Sequence, residues 1–363
     1  MLNNIQSNGF GCTTFGSINL KILVIQTAFP GDAILTLPLI QEIKKRNQSA
    51  QIDVLCIPST AILFYSSPAV NNVIEFDKKR NDSSISRLYK LIKKLRSIKY
   101  DVVYSPHRSA RSSVISFLSF PKQSYSFDKS ALSFLYKNLV KYKKDWHEVR
   151  RNLSLLGDFS GDNDWKILPQ VVINNSDKKI VDDILNSLSI NHSKIIAVAP
   201  GSVWATKRYP AEYYISLTEK LTELNFTIVL IGGKEDFNLC EKIINGSSKI
   251  FNFCGQLNFI QSVYLLTKSV LLISNDSAPT HLGMCANIPV LTIYCSTVPD
   301  FGFYPYNNSS RYISYDKLDC KPCGIHGFNK CPEKHFNCGY KLLPETVLRE
   351  AISMLEERHS RHN

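Results

Sequence analysis

The chain has 363 residues, 44% of them hydrophobic, and carries 43 Lys+Arg against 31 Asp+Glu for a formal charge of +12. That length supports two ordinary cores. The composition is too polar for an integral membrane protein, since no stretch approaches the roughly 18–20 apolar residues needed to cross a bilayer. The charge is uneven: residues 1–174 hold 24 Lys+Arg against 13 Asp+Glu, while the remainder is close to neutral. The first half therefore either meets an anionic partner (nucleic acid, anionic lipid or a phosphorylated saccharide) or is an ordinary solvated Lys-rich surface.

Residues 1–19, rich in Asn, Gly, Ser and Thr, have no charged segment followed by an apolar core and read as a loose leader in a cytoplasmic protein. Strands are then expected at Lys21–Gln26, Ile52–Ile57, Asn72–Phe76 and Asp101–Ser105. The loop after the first strand runs Thr27-Ala28-Phe29-Pro30-Gly31-Asp32, where Gly31 permits a tight turn and Asp32 opens a helix. Asp32 is either a group presented to a ligand or a helix cap. The basic run Lys90–Lys99 places Leu91, Ile92, Leu95 and Ile98 on one side, so it reads as an amphipathic helix and argues against nucleic acid as partner. After the fourth strand, Arg108 and Arg111 are candidates for binding phosphates or carboxylates, or form the basic first turn of a helix.

A polar run at Asn174–Asp177 reads as a linker before a helix over Lys178–Leu188. The second half has strand candidates at Ile195–Ala199, Thr227–Ile231, Ile250–Phe253, Val270–Ser274 and Val290–Tyr294. This alternation of apolar strands and helical patterns predicts an α/β protein of two doubly wound parallel-sheet domains with a cleft between them. Ligands in such sheets bind beyond the carboxyl ends of strands. In Pro200-Gly201-Ser202-Val203-Trp204-Ala205-Thr206-Lys207-Arg208, small and hydroxyl residues precede two cations, a composition suited to a diphosphate. Gly232-Gly233-Lys234-Glu235 lets backbone approach a ligand, with Glu235 available for ribose hydroxyls. Asn275-Asp276-Ser277-Ala278-Pro279-Thr280-His281 turns a buried strand directly into a small-residue helix, whose first amides and dipole can hold a phosphate.

Six cysteines (Cys12, Cys56, Cys240, Cys254, Cys285 and Cys295) sit alone in or near apolar segments and read as reduced, buried thiols. Cys320, Cys323, Cys331 and Cys338 form a C-x2-C-x7-C-x6-C cluster, read as a packed loop, with zinc binding as the alternative.

Taken together, KILVIQTAFPGDAILTLPLI, APGSVWATKRYP, LIGGKED, NDSAPTHLG and YCSTVPDFGF, in this order along almost the whole chain, resemble the glycosyltransferase family 9 heptosyltransferases, and the last segment with the cysteine cluster looks most like those that add the second heptose. The resemblance implies a GT-B fold, two Rossmann-like domains facing across a cleft. Residues 20–174 would receive the acceptor and residues 175–342 the nucleotide sugar, while a helix in 343–363 would pack back toward the first domain. It further implies inverting transfer of a heptose from ADP-heptose to the lipopolysaccharide core, without metal or other cofactor, by an enzyme meeting an anionic glycolipid at the cytoplasmic face of the inner membrane.

By the same resemblance Asp32 is the general base and Lys207 the diphosphate-binding lysine. Asp276, Ser277, Ala278 and His281 form the ADP loop, Ser202, Thr206 and Arg208 lie on the phosphate side, Glu235 on the ribose, and Arg108 and Arg111 on the acceptor. Phe29-Pro30, Tyr209 and Ala278-Pro279-Thr280 depart from the family pattern. A GT-B transferase using another nucleotide sugar, or a nucleotide-sugar binding protein without catalysis, remains the alternative reading.

Overall fold

The computed structural model describes residues 19–77, 85–190 and 194–362, so the expected leader and Cys12 fall outside the described residues. The first sheet consists of β1 (Lys21–Gln26), β2 (Gln51–Cys56), β3 (Asn72–Glu75), β4 (Val102–Tyr104), β5 (Gln123–Phe127) and β6 (Asn138–Val140), all parallel. The second consists of β7 (Ile195–Ala199), β8 (Thr227–Leu230), β9 (Ile250–Asn252), β10 (Ser269–Asn275), β11 (Val290–Tyr294) and β12 (Arg311–Ser314), also all parallel. Strand order is β3-β2-β1-β4-β5-β6 in one and β12-β11-β10-β7-β8-β9 in the other. Read from opposite ends, these are the same doubly wound order, in which the first and fourth strands of each set lie side by side. The order in which strands are added reverses between them, so their connections leave on opposite faces and a crevice opens at their carboxyl ends. The loops after β1 and β4, and after β7 and β10, are therefore brought to two facing crevices.

The connecting helices are α1 (Pro30–Ile34), α2 (Leu37–Arg46), α3 (Ala61–Tyr65), α4 (Ile85–Ile98), α5 (Ala110–Leu118) and α6 (Glu148–Leu153) in the first half. The second half contains α7 (Asn175–Ser187), α8 (Ala211–Glu223), α9 (Phe237–Ile244), α10 (Phe259–Thr267), α11 (Ala278–Ala286), α12 (Asn337–Tyr340) and α13 (Pro344–His362). With helices on both faces, the central strands are buried along their whole length, which is why β7 (IIAVA) and β11 (VLTIY) are continuous apolar runs. The polar run at 174–177 is the start of α7: the Asn174 side chain caps it by accepting from the Asp177 amide at 2.7 Å.

The two halves are not independent cores. The largest apolar cluster is continuous from Val24, Ile34 and Leu37 of the first half to Ala197, Leu272 and Leu282 of the second, and α1 packs on α11 as α3 packs on α10. One expectation is corrected here. Helix α13 packs on α8 and β10, burying Val347, Ala351, Met354 and Leu355 in a second-half cluster with Leu217 and Leu271. Its position is tied by Lys220–Glu345 (2.7 Å), by Arg311 to Glu350 and Glu357, and by Arg358 donating to the carbonyl of Val270. Its apolar stripe is thus used up on the second half, rather than reaching back to the first.

Candidate functional site

A cavity of about 740 Å³ lies between the two halves, within the range of small-molecule sites. Its second-half wall is built around Asn275, the last residue of β10. The buried Asn275 amide accepts from the Tyr209 backbone and the Tyr214 hydroxyl, both at 3.0 Å, and donates to the Pro200 carbonyl at 2.7 Å. One side chain therefore fixes the loops after β7 and β10 against each other. Next to it, Asp276 accepts from Lys207 Nζ at 2.6 Å and from the Thr297 hydroxyl at 2.7 Å. This pair holds a cation on the cavity floor beside the start of α11, where the first-turn amides have no helical acceptor.

The Gly-rich loop after β8 is held by Asp236, whose carboxylate accepts from the Gly233 amide at 3.0 Å. A β-carbon on Gly201 would stand 2.2 Å from that carboxylate, so the loops after β7 and β8 approach as closely as they do because residue 201 has no side chain. Burial raises the pKa of Asp236, with the Gly233 bond opposing it. Glu235 lies beside it on the cavity lining.

The first-half wall presents Asp32. No side chain caps α1, whose N-cap position is Phe29, so the cap reading of Asp32 is not realised. It is the Asp32 carbonyl that is used locally, accepting from the Thr36 hydroxyl at 2.8 Å, and the residue is part of the cavity lining. Its pKa is raised to about 7, first by burial and then by Glu148; its own amide, Arg108 and Lys207 pull in the opposite direction. Across the cavity His281 is buried, with Nδ1 unpartnered among the described residues, and burial lowers its pKa to about 4. It is a neutral imidazole at physiological pH.

Of the residues singled out in the sequence, Asp32, Ser202, Lys207, Glu235, Asp276, Ser277, Ala278 and His281 line this one cavity. Four others do not. Thr206 is buried with its hydroxyl accepting from the Phe328 amide and Ser296, so it seals the wall from behind rather than offering a phosphate contact. Arg208 donates from Nε to the Ser202 carbonyl at 2.7 Å, the structural alternative left open for it. Arg108 stacks over Tyr142 at 4.0 Å, within electrostatic reach of Asp32, and Arg111 is exposed on the first turn of α5.

Sequence reasoning did not single out Glu148, Thr297 or Asn275 for their roles in the site, nor the Cys-rich segment's Ile325 and His326 as cavity lining. That segment folds over the Lys207 loop through reciprocal bonds between Thr206 and Phe328 and through the Cys323 amide to Ser296. Its cysteines are free, and among the described residues no group of three or more His, Cys, Asp or Glu side chains has the geometry to hold a metal ion. Cys240 and Cys254 are not isolated thiols, since their sulfurs lie 2.8 Å apart beneath the Gly-rich loop.

Residues 88–327 match glycosyltransferase family 9 (heptosyltransferase). The lipooligosaccharide heptosyltransferase 2 of Campylobacter jejuni is 24% identical over 345 residues, covering 94% of this chain and 100% of that relative. Among solved structures, the ADP-heptose lps heptosyltransferase II of Escherichia coli is similar with a TM-score of 0.77 at 22% identity, covering 94% of this chain and 100% of that one. The glycosyl transferase family 9 structure from Veillonella parvula gives 0.79 at 21% identity, covering 94% and 98%. The architecture is GT-B, as expected: two Rossmann-like sheets facing across a cleft.

Proposed function

The chain belongs to glycosyltransferase family 9, and on that footing we propose that it is an inverting, metal-independent transferase moving a heptose from ADP-heptose to the inner core of lipopolysaccharide, at the cytoplasmic face of the inner membrane. The observation that carries the reading is the facing of Asp32, poised to titrate near pH 7, against Lys207 and the N-terminus of α11 across one cavity. The curated relative named for lipooligosaccharide heptose transfer and the solved ADP-heptose enzyme support the choice of donor and acceptor.

In this mechanism an acceptor hydroxyl attacks the anomeric carbon of the heptose from the face opposite the diphosphate. Asp32 takes the hydroxyl proton as the new C–O bond forms, and its pKa near 7 suits a base that must be ionised yet able to accept a proton. The bond from the anomeric carbon to the diphosphate oxygen breaks with its electron pair, and ADP departs. Lys207 and the Ser277 and Ala278 amides stabilise the charge that develops on that oxygen, the work a divalent cation does in other transferases. Ser202 and His281 flank the phosphates and the sugar, Glu235 meets the ribose, and Arg108 holds the anionic acceptor beside Asp32.

The test is a calorimetric donor screen with ADP-heptose, UDP-sugars and GDP-sugars, followed by turnover on defined core acceptors by wild type and Asp32→Ala. ADP-heptose preference, with turnover lost by about 10²–10⁴-fold and donor affinity retained in the variant, is expected. Preference for a UDP-sugar overturns the substrate assignment, and unchanged turnover in Asp32→Ala overturns the catalytic one.

A further inference from the structure

The side of the first half formed by the end of α5, the segment from 128 to 137 and the edge strand β6 exposes large apolar side chains in a way the site does not explain. Phe117, Phe120, Leu132, Phe134 and Leu139, all within 23 residues of chain, are 39–76% exposed. Two of them stand on unfavourable backbone. Phe120 has φ 53° in the position just past the end of α5, where glycine or asparagine is usual, and Leu132 has φ 55°. Bulky side chains held in the left-handed region and turned to solvent are retained for something other than packing.

The same strip is strongly cationic. Residues 108–144 carry eight Lys or Arg against a single acidic residue, Asp128, and Lys129, Lys137, Lys141 and Lys143 are exposed there. Arg96 of α4 extends the strip by stacking over Phe120 at 4.6 Å. Segment 128–137 is fastened along α5 by the Ser113 hydroxyl to the Ala131 carbonyl and by the Ala131 amide to the Arg108 carbonyl at 3.0 Å, so these side chains are presented on a fixed frame that ends at Arg108 beside the cleft. Exposed aromatic and aliphatic side chains within a field of lysines match the two layers of an anionic lipid surface, with apolar groups entering the acyl boundary and ammonium groups meeting phosphate. So uniform a sign of charge calls for a partner that is anionic throughout, as the headgroup layer of an anionic bilayer is.

We propose that this strip of α5, residues 128–137 and β6 is a membrane-docking surface for an anionic bilayer, which sets the Arg108 end of the cleft toward the lipid. The proposal rests on the reading of the acceptor as a membrane glycolipid. No helix of the described residues is long and apolar enough to span a membrane, so attachment of this kind is interfacial and reversible. It weakens as salt screens the lysines.

The experiment is vesicle sedimentation of the full chain with phosphatidylcholine alone and with phosphatidylcholine containing phosphatidylglycerol. Wild type is expected to sediment only with the anionic vesicles and to be released by high salt. Phe120→Ser with Phe134→Ser, and separately Lys129→Gln with Lys137→Gln and Lys141→Gln, should each lower vesicle affinity by more than about tenfold. Turnover of both variants on a delipidated, water-soluble core acceptor should match wild type. Binding to neutral vesicles as strong as to anionic ones, absence of binding by wild type, or undiminished binding by both variants overturns the proposal. Loss of turnover on the soluble acceptor by wild type itself would instead overturn the functional reading. A fall in thermal stability of the Phe variants is controlled by the salt dependence of wild type, which needs no substitution.

Discussion

Gly31 and His281 meet across the cleft: a β-carbon placed on Gly31 would stand 3.2 Å from Cδ2 of His281 and 3.9 Å from the Cα of Ala278. Gly31, in the first turn of α1, is therefore a point where the first half touches the loop of the second. A branched side chain at 31 would press on the His281 ring and the start of α11. Gly31→Val is expected to cost about 1–3 kcal/mol in the apposed geometry, the usual penalty of overpacking, and so to lower kcat/KM by about tenfold or more while the separate sheets stay folded. Steady-state kinetics alongside circular dichroism checks this, and unchanged kinetics would show that the contact carries no function.

The rate should report the ionisation of Asp32. Its carboxyl is pushed up to about 7, so it is protonated in acid: kcat/KM is expected to rise about tenfold per pH unit up to roughly pH 7 and to level above it. The sign for stability is opposite. A carboxyl raised above its unfolded value contributes stability fully below the ordinary value near 3.8, and that contribution is lost as pH climbs to about 7. Asp32→Asn should therefore melt higher than wild type at pH 8 and equally at pH 3, while losing turnover at every pH.

Glu148 is the second-largest cause of that raised pKa. Removing its charge with Glu148→Gln should move the acidic limb of the pH profile to lower pH. Its ion pair with Arg151, 2.8 Å and buried, is broken in the same step, so stability should also fall, by about 3–5 kcal/mol for a buried cation left without its partner. A full pH–rate curve separates the two effects, because a purely structural role lowers the plateau without displacing the limb.

Lys207 and Asp276 form one unit with Thr297. Lys207→Ala is expected to weaken ADP binding by about 1.5–3 kcal/mol, the value of a hydrogen bond to a charged group, when titrated by calorimetry. Thr297→Val leaves both charges in place but removes one of the two donors that meet Oδ2 of Asp276. A smaller loss is expected there, and a loss equal to that of Lys207→Ala would mean that Thr297 touches the ligand itself.

Asn275 is the residue whose loss should matter most for the wall as a whole. Its side chain makes three hydrogen bonds of 2.7–3.0 Å that join the loops after β7 and β10. Asn275→Ala leaves the buried Tyr214 hydroxyl and Pro200 carbonyl unsatisfied and is expected to destabilise by about 2–4 kcal/mol, measured by chemical denaturation. A shift below 1 kcal/mol would show that water replaces the amide.

The strands legible in the sequence are those buried on both faces, such as β1, β7 and β11, where nothing polar interrupts the apolar run. The strands not singled out, β5 (QSYSF), β6 (NLV) and β12 (RYIS), are polar, short or at a sheet edge, and their pairing is decided by neighbours rather than by their own pattern. The same division holds in the site. Asp32, Lys207 and Asp276 were legible because each follows a buried strand at its carboxyl end. Glu148 was not, since α6 reaches the cleft only through tertiary contacts, and Thr206 misled because a hydroxyl beside a lysine looks the same whether it faces the cavity or the wall behind it.

The seam at α6 bears on how the chain comes apart. The Glu148 amide donates to the Gly302 carbonyl at 2.8 Å, Arg151 reaches the Phe301 carbonyl at 2.7 Å, and His147, with its pKa lowered to about 3 by burial, bonds to the Tyr304 carbonyl while packed against Trp165 and Tyr306. Severed from the second half, the first would present a guanidinium missing one of its acceptors and an imidazole that keeps Trp165 but loses Tyr304 and Tyr306. The two sheets are therefore expected to melt in a single cooperative transition, and a fragment ending before residue 175 should be a poor folder however complete its own sheet.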